Sequence, residues 1–141
     1  MVDEKDMKII EKLEKNARVS FSEIAKELGI SDVAVMKRIR KLEQDGVIRK
    51  YTIKINHKKL GYNMVSLTGF EVEPEYLFDV LKKVAAMEPV KFLALTSGDH
   101  SVMAEIWARN QEELAKIHEE IASLPGVHKV RPAIILDIIK G

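Results

Sequence analysis

Apolar residues recur every three or four positions over the first 45 residues and mostly every second position within the later apolar runs. The first period belongs to amphipathic helices and the second to strands. Residues 3 to 15 pattern as a helix, with Asp3 as cap, Asp6 three residues on, and Ile9, Ile10 and Leu13 on the buried side. Ser20 and Glu23 have capping-box spacing, and Val19 with Ile24 fits the hydrophobic staple that sets the entry angle of a second helix. Ile24, Ala25 and Leu28 share its buried face, and Gly29 stops it, because a left-handed residue past a helix end costs glycine least. Ser31 caps a third helix, with Ile30 and Val35 as its staple and Asp32 at the positive end of its dipole. Two short capped helices around a glycine turn make a helix-turn-helix, and the preceding helix completes a small DNA-binding head.

At 100° per residue, Val35, Ile39 and Leu42 of the third helix fall on one side, and Val33, Lys37, Arg40 and Gln44 fall opposite. The first set is core and the second faces solvent or DNA. The N-terminal residues of a recognition helix go deepest into the major groove, which points to Asp32, Val33, Met36 and Lys37 as base-edge candidates. Arg38, Arg40 and Lys41 suit phosphates, with the stem of Arg38 packed at the buried edge. Ser20, Ser22 and Ser31 stand at helix N-termini, where amides and hydroxyls hold phosphate oxygens. The plainer alternative is that the serines only cap and the basic residues only solvate. The agreement of caps, turn and charge favours DNA.

After Gly46 the run VIRKYTIKI is β-branched and alternating, which predicts a strand or wing, with Arg49, Lys50 and Lys54 available for backbone contacts. The turn residues of 56–62 mark a hinge, giving a head at 1–55 and a second domain at 63–141. The second half predicts strands at 64–73, 90–97, 101–109 and from 127 onward, with helices at 75–88 and 111–124. The expected fold class is therefore α+β, a winged helix-turn-helix followed by a ferredoxin-like βαββαβ domain. Two helices cover one face of such a sheet. The strands nevertheless carry apolar side chains on both parities, as in Phe92 and Ala94 against Leu93 and Leu95, or Ile106 against Trp107. An uncovered apolar face asks for a partner, so a homodimer is expected, with Trp107 as an anchor of the dimer face.

The chain carries a net charge of only +1. Residues 1–60 hold 15 Lys and Arg against 10 Asp and Glu, whereas residues 61–141 hold 8 against 12. The first half attracts double-stranded DNA and the second does not. With no cysteine there is neither a disulfide framework nor a thiolate site. His57, His100, His118 and His128 lack close metal spacing and read as surface or structural residues, and no cofactor is expected. No signal peptide or membrane span is apparent, since the longest apolar stretch, AIILDII, is short and broken by Asp137, so a cytoplasmic location without membrane contact is expected. No nucleophile and base converge, which argues against an enzyme, and VKFLALTS offers only Phe92 where an RNA-binding sheet stacks bases on an aromatic pair.

Taken together, Asp3, Asp6 and Ile9-Ile10, then ARVSFSEIAKELGIS, VMKRIRKLEQDGVI, YTIKIN, the LGY at 60–62 and SGDH at 97–100 resemble the Lrp/AsnC family of transcriptional regulators over essentially the full chain. The resemblance implies dimers that often assemble into octamers and bind an amino acid or similar metabolite where dimers meet. By similarity, Gly98 and Asp99 lie at that site with Thr96, Ser97 and His100 adjacent and Ser123 contributing. The family often has an aromatic residue where this chain has His100. Gly98-Asp99 is also a hairpin turn in its own right. An architectural DNA-binding protein of the same fold, without an effector, is the alternative reading.

Overall fold

Each N-cap expected in the head starts a helix, although at Ser20 only the serine half of the capping box forms. The computed structural model describes residues 1–141 and divides into two compact units, Met1–Lys54 and Ile55–Gly141. In the first unit, α1 (Glu4–Lys15) begins at a complete capping box in which Asp3 and Asp6 each accept from the other's backbone N–H. Ser20 accepts from the Glu23 amide at 3.1 Å to start α2 (Phe21–Leu28). Gly29 ends that helix at φ 66°, a conformation that a Cβ would strain. Ser31 starts α3 (Asp32–Gln44) through the Ala34 amide at 3.1 Å. Ile9, Ile24, Ala25, Val35 and Ile39 form the shared core, with Leu13, Val19, Leu28, Ile30 and Ile48 packed around it.

No strand forms over 47–55. A strand needs a neighbour for its amides and carbonyls, and the chain supplies none to this segment, although Tyr51, Ile53 and Ile55 stand exposed along it in the expected alternation. The expected hinge at 56–62 is also folded. Residues His57–Leu60 form a 3-10 turn capped by Asn56 and belong to the second unit. His57 is buried and donates from Nδ1 to the Tyr62 carbonyl oxygen at 2.7 Å. Both rings pack against Trp107, at centroid distances of 5.9 Å and 5.5 Å. Trp107, expected to wait for a second subunit, thus pins the segment that leads into the sheet. Its Nε1 donates to Glu105 at 2.8 Å.

The second unit contains β1 (Met64–Val72), α4 (Leu77–Ala85), β2 (Val90–Leu95), β3 (Val102–Ala108), α5 (Gln111–Ala122) and β4 (Val127–Ile134). Its antiparallel sheet has the order β2-β3-β1-β4, the ferredoxin-like arrangement. Phe70, Val102, Ala104, Ile106 and Ala108 meet Val80, Val84, Leu114, Ile117 and Ile121 of the helices in one core. Ser66 and Thr68 lie fully buried on that same face. Their hydroxyls are 2.9 Å apart, and Thr68 reaches His118 Nε2 at 2.8 Å, so the buried polar groups satisfy one another. Burial lowers the His118 pKa, favouring the neutral imidazole.

On the outer face, the register aligns Phe92, Glu105, Leu67 and Ala133 in one row and Ala94, Met103, Gly69 and Arg131 in the next. Phe92 is 58% exposed and Leu67 43%. Helices do not cover this face. The final strand stops earlier than its apolar run suggests, and Leu136, Ile138 and Ile139 are exposed beyond it. No helix is long and apolar enough to cross a membrane.

Candidate nucleic-acid interface and ligand cleft

The exposed face of α3 sorts its residues by whether they already have partners. Arg38, placed among the phosphate ligands by its charge, is engaged within the head. Its Nη1 donates to Asp3 Oδ1 and Oδ2 at 2.9 and 2.7 Å and to Asp6 Oδ1 at 3.0 Å. These bonds hold the Asp3 carboxyl below the usual carboxylate range and raise the Arg38 pKa. The capping box of α1 thereby clamps the middle of the recognition helix. Asp32, placed among the base-edge candidates, accepts from Ser22 Oγ at 2.7 Å, and Ser22 is to that extent not free for phosphate. Lys41 pairs with Asp45 one turn on, at 3.3 Å. Met36 is half-buried in a pocket shared with Leu13, Val19 and Phe21.

What remains is one stripe. Val33, Lys37, Arg40 and Gln44 are exposed, and Lys37 and Arg40 enter none of the ion pairs of the head. Their spacing of four, three and four residues puts them on one side of the helix. Ser20 and Ser31 keep their hydroxyls on their own helix N-termini, and those N-termini are exposed, leaving backbone amides available to an anion.

The clamp gives a test that separates it from a phosphate contact. Arg38→Ala should lower the melting temperature of the full-length protein by a few degrees and weaken DNA binding, since the helix loses its brace against α1. The dependence of affinity on salt should stay parallel to wild type, because no phosphate contact is removed. Anisotropy titrations across salt concentrations read this directly, and a slope flattened by about one per site would return Arg38 to the phosphate ligands.

In the second unit the β2–β3 loop is a tight turn. Thr96 donates from its backbone to the Ser101 carbonyl at 2.9 Å and from its hydroxyl to the His100 carbonyl at 2.7 Å, and Gly98 has φ 99°. The turn also forms one wall of an open cleft of about 420 Å³, lined by Thr96, Ser97, Gly98, His100, Ser101, Glu71, Val72, Glu73 and His128. Asp99 and Ser123 do not line it. Asp99 is exposed at the turn, and the Ser123 hydroxyl donates to the Glu120 carbonyl at 2.8 Å, at the end of α5. Glu71, Glu73 and His128 were not anticipated, because Glu71 and Glu73 reach the cleft only through the pairing of β1 with β3, and His128 only through that of β4 with β1. That pairing sets Glu71 opposite His128, and His128 Nε2 lies 2.9 Å from Glu73. The His100 imidazole lies against Gly69, where a Cβ would overlap the ring. Glycine at 69 is what lets this histidine lie on the sheet.

A family model of the AsnC-type helix-turn-helix domain matches residues 2–43, and one of the Lrp/AsnC ligand-binding domain matches residues 66–141. The transcriptional regulator LrpA of Pyrococcus horikoshii is 53% identical over 141 residues, covering 99% of this chain and 100% of that protein. The chain belongs to the Lrp/AsnC family. Pyrococcus abyssi LrpA is likewise 53% identical, again over 99% of this chain and 100% of that relative. Among solved structures, the feast or famine regulatory protein Rv3291c of M. tuberculosis, complexed with L-methionine, superposes with a TM-score of 0.91 at 24% identity. That match covers 100% of this chain and 96% of the other, and it concerns the fold. As an Lrp/AsnC protein the chain is a DNA-binding transcriptional regulator with a ligand-binding domain, and its Pyrococcus relatives are named as regulators rather than enzymes.

Proposed function

We propose that this Lrp/AsnC protein binds specific DNA sequences as a homodimer and that an amino acid or related metabolite, seated at the β2–β3 turn, modulates that binding. The observation that carries the DNA reading is the stripe on α3, where two cations and an exposed apolar residue have no use inside the head. The bare outer face of the sheet supports the dimer, because Phe92, Leu67 and their neighbours have no cover within the chain. A dimer of helix-turn-helix heads reads two half-sites.

The effector reading rests on the cleft. Backbone amides of a glycine turn receive a carboxylate, and the carboxylates of Glu71 and Glu73 and the hydroxyls of Thr96 and Ser97 offer acceptors to an ammonium group. In this geometry Thr96, Ser97, Gly98 and His100 carry the binding, and Asp99 and Ser123 are left out.

Calorimetric titration of the full-length protein with each of the twenty amino acids tests this. Binding by at least one of them is expected, and Ser97→Trp, which fills the cleft from an exposed position, should abolish it while DNA binding without ligand persists. Should none of the twenty bind wild type, an effector-independent architectural role becomes the better account. Unchanged binding in Ser97→Trp would move the site elsewhere.

A further inference from the structure

We infer that Val33 is a specificity-determining residue that reads the 5-methyl group of a thymine in the operator half-site. The inference rests on the DNA reading above and deepens it. Asp32 and Val33 are the first two residues of α3, the part of a recognition helix that enters the groove. Asp32 is held by Ser22 at 2.7 Å, and its negative charge disfavours close approach to phosphates. Val33 is then the first side chain of the helix with no engagement inside the protein, and it is 53% exposed.

A lone exposed apolar residue is ordinary on a protein surface. The position of this one is not. It begins the stripe that continues through Lys37 and Arg40, so any placement of α3 that brings those cations to DNA also brings Val33 to it. A β-branched residue is a weaker helix former than the polar residues that suit an exposed helix position, and water is a poor environment for its two methyl groups. In the major groove the only apolar group that base pairs present is the thymine methyl. Lys37, one turn farther along the stripe, is a donor suited to guanine O6 and N7, and Arg40 suits a phosphate.

The test uses the full-length protein and a duplex selected from a random-sequence library by wild type, in which each thymine is replaced in turn by deoxyuridine. At one thymine per half-site, removing the methyl should weaken wild-type binding about fourfold, the effect of exposing one buried methyl-sized group. Val33→Ala should bind the thymine duplex several-fold more weakly and treat thymine and deoxyuridine at that position alike. Because Val33 is exposed, this variant should melt with wild type, as a thermal scan would check. Wild type indifferent to every replacement, or Val33→Ala still preferring thymine, would overturn the assignment while leaving sequence-specific binding intact. A selection that yields no preferred sequence would overturn both.

Discussion

Lys37→Ala and Arg40→Ala should both weaken DNA binding, in different ways. Arg40 lies farther along α3, where a guanidinium meets the backbone rather than the floor of the groove. Its loss should lower affinity for every duplex and flatten the logarithmic salt dependence by about one for each half-site bound. At 0.1 M salt that is roughly tenfold per contact. Lys37 sits where α3 enters the groove. Its loss should reduce discrimination between a selected and a scrambled duplex by a factor of about 5 to 150, the range for one good base contact. Affinity for the scrambled duplex should change far less. Titrations of both variants on both duplexes at several salt concentrations separate the two roles. Loss of the same size on both duplexes in Lys37→Ala would make that residue another phosphate ligand.

Charge on the outer face of the sheet should prevent dimerisation. Phe92 and Leu67 share a cross-sheet row with Ala133, and the row's one charged member, Glu105, is held by Trp107. Burying Phe92 against a second copy removes a large apolar surface from water, worth about 1.5–3 kcal/mol. Phe92→Glu replaces that gain with an unpaired charge in a desolvated interface, so the dimer dissociation constant should rise at least about a hundredfold. Sedimentation at micromolar concentration would show wild type as a dimer, or a larger assembly of dimers, and Phe92→Glu as monomer. DNA binding should weaken in parallel, because two linked heads hold two half-sites far better than one. A wild-type monomer would mean that the apolar face serves another purpose.

The features that could be read from sequence are those whose causes are local. A serine three residues ahead of a glutamate, a glycine that must turn left-handed, and an apolar stripe at helical spacing each act within one or two turns, and α2 and α3 follow them. The alternation of the second half determined the order of its elements for the same reason. Partners far apart in the chain were not legible. Nothing local shows that Arg38 spends its charge on Asp3 and Asp6, 35 and 32 residues away, so its charge suggested a phosphate. Nor does composition show that Tyr51, Ile53 and Ile55 lack a neighbouring strand, or that His57 and Tyr62 fold onto Trp107. In the cleft, local sequence showed only a hairpin turn at Gly98-Asp99, and likeness to a family marked Thr96, Ser97, Gly98 and His100 as ligand candidates. Glu71, Glu73 and His128 required the strand register, and Asp99 was placed by likeness to a family rather than by geometry.

The ratio of affinities for a selected and a scrambled duplex, measured by competition at about 0.15 M salt, bears most directly on the whole account. A dimer reading two half-sites through the α3 stripe should prefer the selected duplex by about a thousandfold or more, as specific regulators do. A ratio near one, with a steep salt dependence on both duplexes, would contradict that and leave a protein that binds DNA through its charge alone.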